Sequence, residues 1–352
     1  MKWKYVLGLL SSAFFLFLAF RAVDYEELAT ALKNARYGYI VPVVALMMLG
    51  LWLRATRWRF LLAPIKRIGG KSLFSATAIG LMANDLLPAR IGELVRAHVI
   101  GEKESISRSA SLATIVVERL FDGFTLLLFL AVILLTGGVS VPGWLRNAAL
   151  AAIVFYVAVL AVLLLFGART GFVIGIGERI ARPFPERIRR AIVKLLQSFA
   201  GGLAIFRSRR NMALAAVLSP LVWLPNAAMI YLLFEAFGIH LSVSVAFVLL
   251  VALCIGVMIP SAPGFIGTIQ YVSVAVLGLF GVAHGQALSF SLVYHACIFA
   301  PVVVTGLACL AIEGVSFSEL NVLARRREQD RSVDSGMAGE PEAFTKHGKE
   351  RG

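Results

Sequence analysis

Apolar residues run along this chain in long blocks separated by short polar connections, and a block of roughly 20 residues matches the hydrocarbon thickness of a bilayer. Full membrane spans are expected near 5–20, 39–53, 112–136, 148–168, 212–235 and 288–312. Two stretches depart from this pattern. In 72–108 the apolar run stops at "NDLLPARIGELVRA", and in 243–282 it is interrupted by "IPSAPGFIGT". In 72–108 only about the first sixteen residues are apolar, too few for two full crossings, and the stretch is expected to enter and leave the membrane on one side as a re-entrant hairpin. The stretch 243–282 is likewise expected to return to its own side, as a hairpin or a pair of short spans.

The basic residues orient these blocks. The connection after the second span carries Arg54, Arg57, Arg59, Lys66, Arg67 and Lys71 with no acid, and 169–210 carries ten Lys or Arg against Glu178 and Glu186. The connection 137–147 has only Arg146, and 236–242 has none. Short Lys/Arg-rich connections stay cytoplasmic. The N-terminus, 54–71, 169–210 and the tail are therefore expected inside, with 137–147 and 236–242 outside. By this count 72–108 begins and ends inside, and 243–282 begins and ends outside. The order span, span, hairpin, span thus occurs twice with opposite orientation, in halves of about 5–136 and 148–312. The expected fold is an all-α integral membrane protein of about six full spans plus two oppositely oriented re-entrant hairpins.

Composition agrees with this class. The chain is 59% hydrophobic and 15% charged, with a mean hydropathy of +0.84. Residues 1–315 read as one transmembrane domain and 316–352 as a largely disordered cytoplasmic tail. The basic, apolar start "MKWKYVLGLLSSAFFLFLAF" reads as an uncleaved first span. The net charge of +14 is assigned mostly to cytoplasmic connections. Among them is a basic amphipathic stretch, 178–206, suited to an anionic leaflet and not to nucleic acid. Cys254, Cys297 and Cys309 form no CxxC pair and read as small buried hydrophobes. No metal or cofactor motif is present.

The two hairpins share a turn, Pro88 to Gly92 and Pro263 to Gly267, both reading P-x-x-I-G. A proline there breaks one helix and favours the start of another. The second half-helix then presents backbone N–H groups and a positive dipole end, suited to an anion such as phosphate. Interrupted segments in corresponding halves point to a midplane binding site. In the first hairpin Arg90 and Arg96 add positive charge, and Glu93 is placed to hold Arg96. The alternative is that Arg90, Glu93 and Arg96 pair with one another and with lipid headgroups at the cytoplasmic interface. Further on, Glu118, Arg119 and Asp122 lie in the inner third of a span. Glu118 and Asp122 share a face and need a cation between them, which Arg90 or Arg96 would supply. A structural lock between hairpin and span and a direct substrate contact both fit this pattern. The second hairpin is uncharged and offers Ser261, Thr268, Gln270 and Tyr271, so a cavity between the hairpins is expected to be charged on one side and neutral on the other.

"NDLLPARIGELVRA", "SLATIVVERLFDG" and "IPSAPGFIGT", taken in order, resemble the transmembrane domain of bacterial lysylphosphatidylglycerol synthases and the stand-alone flippase-like proteins that share it. The resemblance covers roughly residues 5–315. It implies lipid movement between leaflets, with the aminoacyl transfer residing in a separate soluble domain that this chain lacks. It also implies an envelope-synthesis enzyme as a possible partner. A glutamate is expected in that family where this chain has Gln270. The candidate binding residues are Asn84, Pro88, Arg90, Gly92, Glu93, Arg96, Glu118, Arg119, Asp122, Pro263, Gly264, Gly267, Thr268 and Gln270. The expected function is a lipid translocase in the cell (inner or plasma) membrane, handling an anionic phospholipid or a polyprenyl-phosphate-linked amphiphile and requiring no cofactor. The competing readings are an integral-membrane transferase acting on a lipid-linked substrate and a non-transporting partner of an envelope-synthesis enzyme.

Overall fold

A computed structural model describes residues 2–21, 23–87, 91–136, 143–183, 185–259 and 261–314. Pro88, Arg90, most of the 137–147 connection and the tail expected to be disordered lie outside them. The described residues are helical, without a strand. Helices α1 (Lys2–Phe20), α2 (Tyr25–Asn34) and α3 (Ile40–Leu62) are followed by the pair α4 (Gly70–Leu86) and α5 (Gly92–Glu104), and then by α6 (Arg108–Thr136). Next come α7 (Gly143–Ala168), α8 (Thr170–Ile180), α9 (Glu186–Gly202) and α10 (Arg209–Ala236). The pair α11 (Val243–Gly256) and α12 (Thr268–Leu279) precedes the last helix, α13 (His284–Glu313).

Among the described residues, three helical segments are long and apolar enough to cross a bilayer: Tyr37–Leu62, Arg209–Ala236 and His284–Glu313. The segments Ile153–Phe166 and Thr170–Ile180 meet at 98° across a short break. One expected boundary needs correction. The second span does not end near residue 53 but continues through Arg54 and Arg57 to Leu62. Its first fifteen residues are too few to cross a bilayer alone, and the helix gains its length by carrying two arginines into the protein.

Both expected hairpins are helix–break–helix units whose arms pack on each other. At 1.5 Å per residue the four arms are only roughly 18 to 26 Å long, less than the ~30 Å hydrocarbon core. The first hairpin closes through small residues and one side-chain cap. The Gly92 N–H donates to Asn84 Oδ1 at 2.8 Å, satisfying a first-turn donor of α5. A Cβ on Gly92 would run into the Gly80 carbonyl oxygen, and one on Gly80 would lie 2.8 Å from Arg96 Cβ. The two arms approach this closely because both positions lack a side chain. In the second hairpin, Gly264 (φ +74°) and Gly267 (φ +89°) take left-handed backbone around the short 3-10 turn Pro263–Phe265. The Gly267 N–H donates to Gln270 Oε1 at 2.7 Å, so this half-helix is capped by its own side chain.

Helix contacts recur between the halves. The long helices α3 and α10 pack on each other, α4 packs on α13 as α11 packs on α6, and α2 covers α13 as α9 covers α6. Helix α9 starts directly after Pro185 and carries Arg189, Arg190 and Lys194, with Arg190 and Lys194 exposed.

Replacing Gly92 by alanine forces a methyl group into the α4 carbonyl face, and overpacking of this kind costs about 1–3 kcal/mol. Thermal unfolding of the purified protein in detergent should show a lowered midpoint for Gly92→Ala. Gly171→Ala, where nothing lies near the added Cβ, should be neutral or stabilising.

Candidate functional site

Helix α6 carries Glu118, Arg119 and Asp122 on successive positions of one side, and the fold closes other elements around them. Arg57 comes from α3 and is fully buried. Its Nη1 donates to Asp122 Oδ1 at 2.7 Å and to Ser219 Oγ of α10 at 3.0 Å, while Nη2 lies 3.2 Å from Glu118 Oε1. Arg96 comes from α5 and donates to Glu118 Oε1 at 3.0 Å. Its guanidinium carbon lies 3.7 Å above the Trp58 ring, and Trp58 Nε1 donates to Thr114 Oγ1 at 3.0 Å. Trp223 of α10 donates its indole N–H to Asp122 Oδ1 at 2.9 Å. Four helices are thereby joined through two carboxylates with no solvent exposure or almost none.

A charge pair taken out of water loses several kcal/mol of hydration per ion, and only close contacts with further hydrogen bonds offset that loss. The cluster is built this way. Glu118 meets Arg57, Arg96 and Arg119, and Asp122 meets Arg57, Arg119 and Trp223. The cation expected between the two carboxylates is therefore present, with Arg96 as one contributor. The other, Arg57, had been assigned to a cytoplasmic connection. The expected Glu93–Arg96 pair is replaced: Arg96 goes to Glu118, and Glu93 Oε1 accepts from Asn84 Nδ2 at 3.3 Å.

Beside this cluster lies a cavity of about 290 Å³ between the halves. One wall is polar and charged, with Arg54, Asn84, Asp85, Glu93 and Arg119 from α3 to α6. The facing wall, from α11 to α13, is largely apolar, with Leu250, Leu253, Ile269 and Ile298, plus His295. The hairpins meet at its edge: a Cβ on Gly264 would lie 3.7 Å from the Asp85 carbonyl oxygen. Of the sequence-selected residues, Asn84, Glu93, Arg119 and Gly264 line the cavity. Arg96, Glu118 and Asp122 stand in the ion cluster behind it, while Pro263 starts the 3-10 turn. Thr268 and Gln270 are buried; Gln270 Nε2 lies 3.0 Å from His295 Nδ1. The amide at 270 accepts from a backbone N–H and also faces the imidazole.

Gly92 and Gly267 are displaced from the role expected of them. Gly92 faces Gly80, and a Cβ on Gly267 would lie 2.5 Å from the Ser12 carbonyl oxygen of α1. Both stand at close helix contacts. The half-helix N-termini are likewise partly satisfied by Asn84 and Gln270 and are not open donor sets. The sequence reading passed over Arg54, Arg57, Trp58 and Trp223. A usable signal was present: the block 39–53 is short for a span, and Arg54 and Arg57 lie three residues apart on one helical face.

With this geometry in place, the comparisons with known proteins are informative. The family model for the lysylphosphatidylglycerol synthase TM region matches residues 5–306. A UPF0104 membrane protein of Methanothermobacter thermautotrophicus is 28% identical over 308 residues, covering 83% of this chain and 90% of the relative. A UPF0104 membrane protein of Methanocaldococcus jannaschii is 23% identical over 297 residues, 81% of this chain and 88% of its own length. A protein named glycosyltransferase AglD, from Haloferax volcanii, is 29% identical over 140 residues, 38% of this chain and 22% of that protein. The chain belongs to the lysylphosphatidylglycerol synthase TM region family and is an integral, multi-pass membrane protein.

The cluster generates a stability prediction. Arg57→Gln leaves two buried carboxylates short of their shared partner, and breaking a buried pair from one side costs ~3–5 kcal/mol. Denaturant or thermal unfolding should show a loss of that order for Arg57→Gln and for Glu118→Gln. The double variant should lose clearly less than the sum of the two, because the pair is then removed from both sides.

Proposed function

We propose that this member of the family is a lipid translocase that carries an anionic headgroup through the cavity between its two halves. The cargo class is an anionic phospholipid or a polyprenyl-phosphate-linked amphiphile. The observation that carries this reading is the cavity itself, with a charged wall from one half facing a largely apolar wall from the other. A translocase must hold a polar headgroup at depth while an apolar chain stays in a hydrophobic setting, and such a cavity offers both environments side by side. The short hairpin arms and the repeated packing pattern support six full spans and two re-entrant hairpins in inverted halves. Both termini then face the cytoplasm, and the protein resides in the cell (inner or plasma) membrane.

The match to a glycosyltransferase-named protein favours a second reading, an integral-membrane transferase using Glu118 or Asp122 as base. The geometry weighs against it. A general base must be within hydrogen-bond reach of the proton it abstracts, whereas neither Glu118 nor Asp122 is among the residues that line the cavity, and both are buried among arginines. In this reading they are locking residues, and the protein performs no chemistry of its own. A non-transporting partner of an envelope-synthesis enzyme would show no lipid movement alone.

Two measurements test the proposal. Purified protein in phosphatidylcholine vesicles containing a trace of fluorescent phosphatidylglycerol should speed its exchange between leaflets, read by dithionite quenching. Exchange no faster than in protein-free vesicles would sink the translocase reading. In a background lacking the native cysteines, single cysteines at Gly70 and Ser107 should react from the cytoplasmic side, and those at Asn147 and His240 from outside. Labelling of positions 70 and 107 from opposite faces would overturn the re-entrant topology.

A further inference from the structure

We infer that Arg54 and Arg119 together form the receptor for a phosphate-bearing anion in the central cavity, with the Trp223 indole as the platform that holds Arg54. This rests on the translocase reading and names the residues that would recognise the headgroup. Three guanidiniums, those of Arg57, Arg96 and Arg119, already share the carboxylates of Glu118 and Asp122. Arg54 stands one turn before Arg57 on α3 and lines the cavity. Among the described residues no carboxylate lies within ion-pair distance of it. Its described partner is the face of Trp223, 4.7 Å from the guanidinium carbon to the ring centroid.

That contact does not balance the charge. A cation over an indole gains only roughly 0.5–2 kcal/mol, and half-buried Arg54 has no carboxylate among the described residues to pair with at the cavity wall, so an anion entering the cavity supplies a partner. The platform is fixed in advance. Trp223 is 9% exposed and its indole N–H is held by Asp122, so the ring presents one face to Arg54 whether or not the cavity is filled. The ion cluster thus sets the angle of a group that it does not neutralise.

Arg119 is the second arm. Its side chain remains 44% exposed, and its contacts to Glu118 and Asp122 are 3.2 and 3.4 Å. These are long beside the 2.7 Å of Arg57–Asp122 and the ~2.7–2.9 Å usual for charge-assisted bonds. A guanidinium carries five N–H donors, so these two contacts leave Arg119 others to give. Arg54 and Arg119 come from different helices onto one cavity, and guanidinium forks match the oxygens of a phosphate. Asp85 and Glu93 stand on the same charged wall.

A native reporter lines the same cavity. Cys254 is half-buried and free, whereas Cys297 and Cys309 are buried elsewhere. In the unaltered protein in detergent, dihexanoyl phosphatidylglycerol should slow alkylation of Cys254, followed residue by residue by mass spectrometry. Dihexanoylglycerol, which lacks phosphate, should not. Inorganic phosphate at the same concentration separates the two sources of this chemistry: protection by the lipid alone identifies a headgroup, and equal protection by both identifies free phosphate. Arg54→Gln and Arg119→Gln should each weaken protection about tenfold or more, the factor expected when a hydrogen bond to a charged group is lost. Arg54→Lys should recover part of it, and Arg59→Gln, an exposed cation two residues beyond Arg57 and outside the cavity lining, should leave it intact. The wild-type measurement does not depend on whether the variants fold: no protection by either phosphate compound overturns the receptor. Protection that is unchanged in Arg54→Gln overturns it too, and if leaflet exchange is present the translocase reading then stands alone. Arg54-dependent protection without leaflet exchange supports the receptor and removes transport.

Discussion

Everything central in this molecule depends on burying Glu118 and Asp122 in an apolar helix. An isolated carboxylate at that position would be strongly disfavoured, so the fold must bring cations to it. It does so from three directions: Arg57 from α3, Arg96 from the second arm of the first hairpin, and Arg119 from α6 itself. The requirement locks a hairpin arm to a long helix. It also fixes α10 through Ser219 and Trp223. Hydrophobic burial offers little direction among helices surrounded by lipid, because the tails are as apolar as the side chains. Directed polar contacts and close small-residue packing therefore decide which helix faces which.

The hairpins follow the same logic on the backbone. A helix that ends inside a membrane protein leaves N–H groups without partners, and these must be satisfied internally. Asn84 reaches across the first break to Gly92 N–H, and Gln270 folds back to Gly267 N–H. Both caps are neutral amides, able to accept from the backbone and still donate elsewhere: Asn84 to Glu93, and Gln270 facing His295. A glutamate at position 270 would fill the acceptor role but, when ionised, could not donate to the imidazole.

The cavity is asymmetric although the packing on its two sides is similar. Charge is confined to the wall from α3 to α6, where the ion cluster already has cations in place, and the wall from α11 to α13 stays mostly apolar. The two walls thus offer charged and apolar surroundings within one cavity.

The sequence alone determined the class, the hairpin positions and the residues of the cluster on α5 and α6. Those features are written in local pattern: block length, a proline before glycine, and two acids four residues apart on one face of an apolar run, which call for a cation. It did not determine where α3 ends. Arg54 and Arg57 look like the basic flank of a short span when counted by charge, and only the packing of α3 against α6 and α10 shows that Asp122 and Glu118 draw Arg57 inward. The destinations of Gly92 and Gly267 were equally undecided. A glycine permits close approach but does not say to what, and tertiary contact turned one toward Gly80 and the other toward α1. The use of Trp223 as both an anchor for Asp122 and a platform for Arg54 belongs wholly to the tertiary structure, because residues 54, 122 and 223 are far apart in the chain and meet only when their helices do.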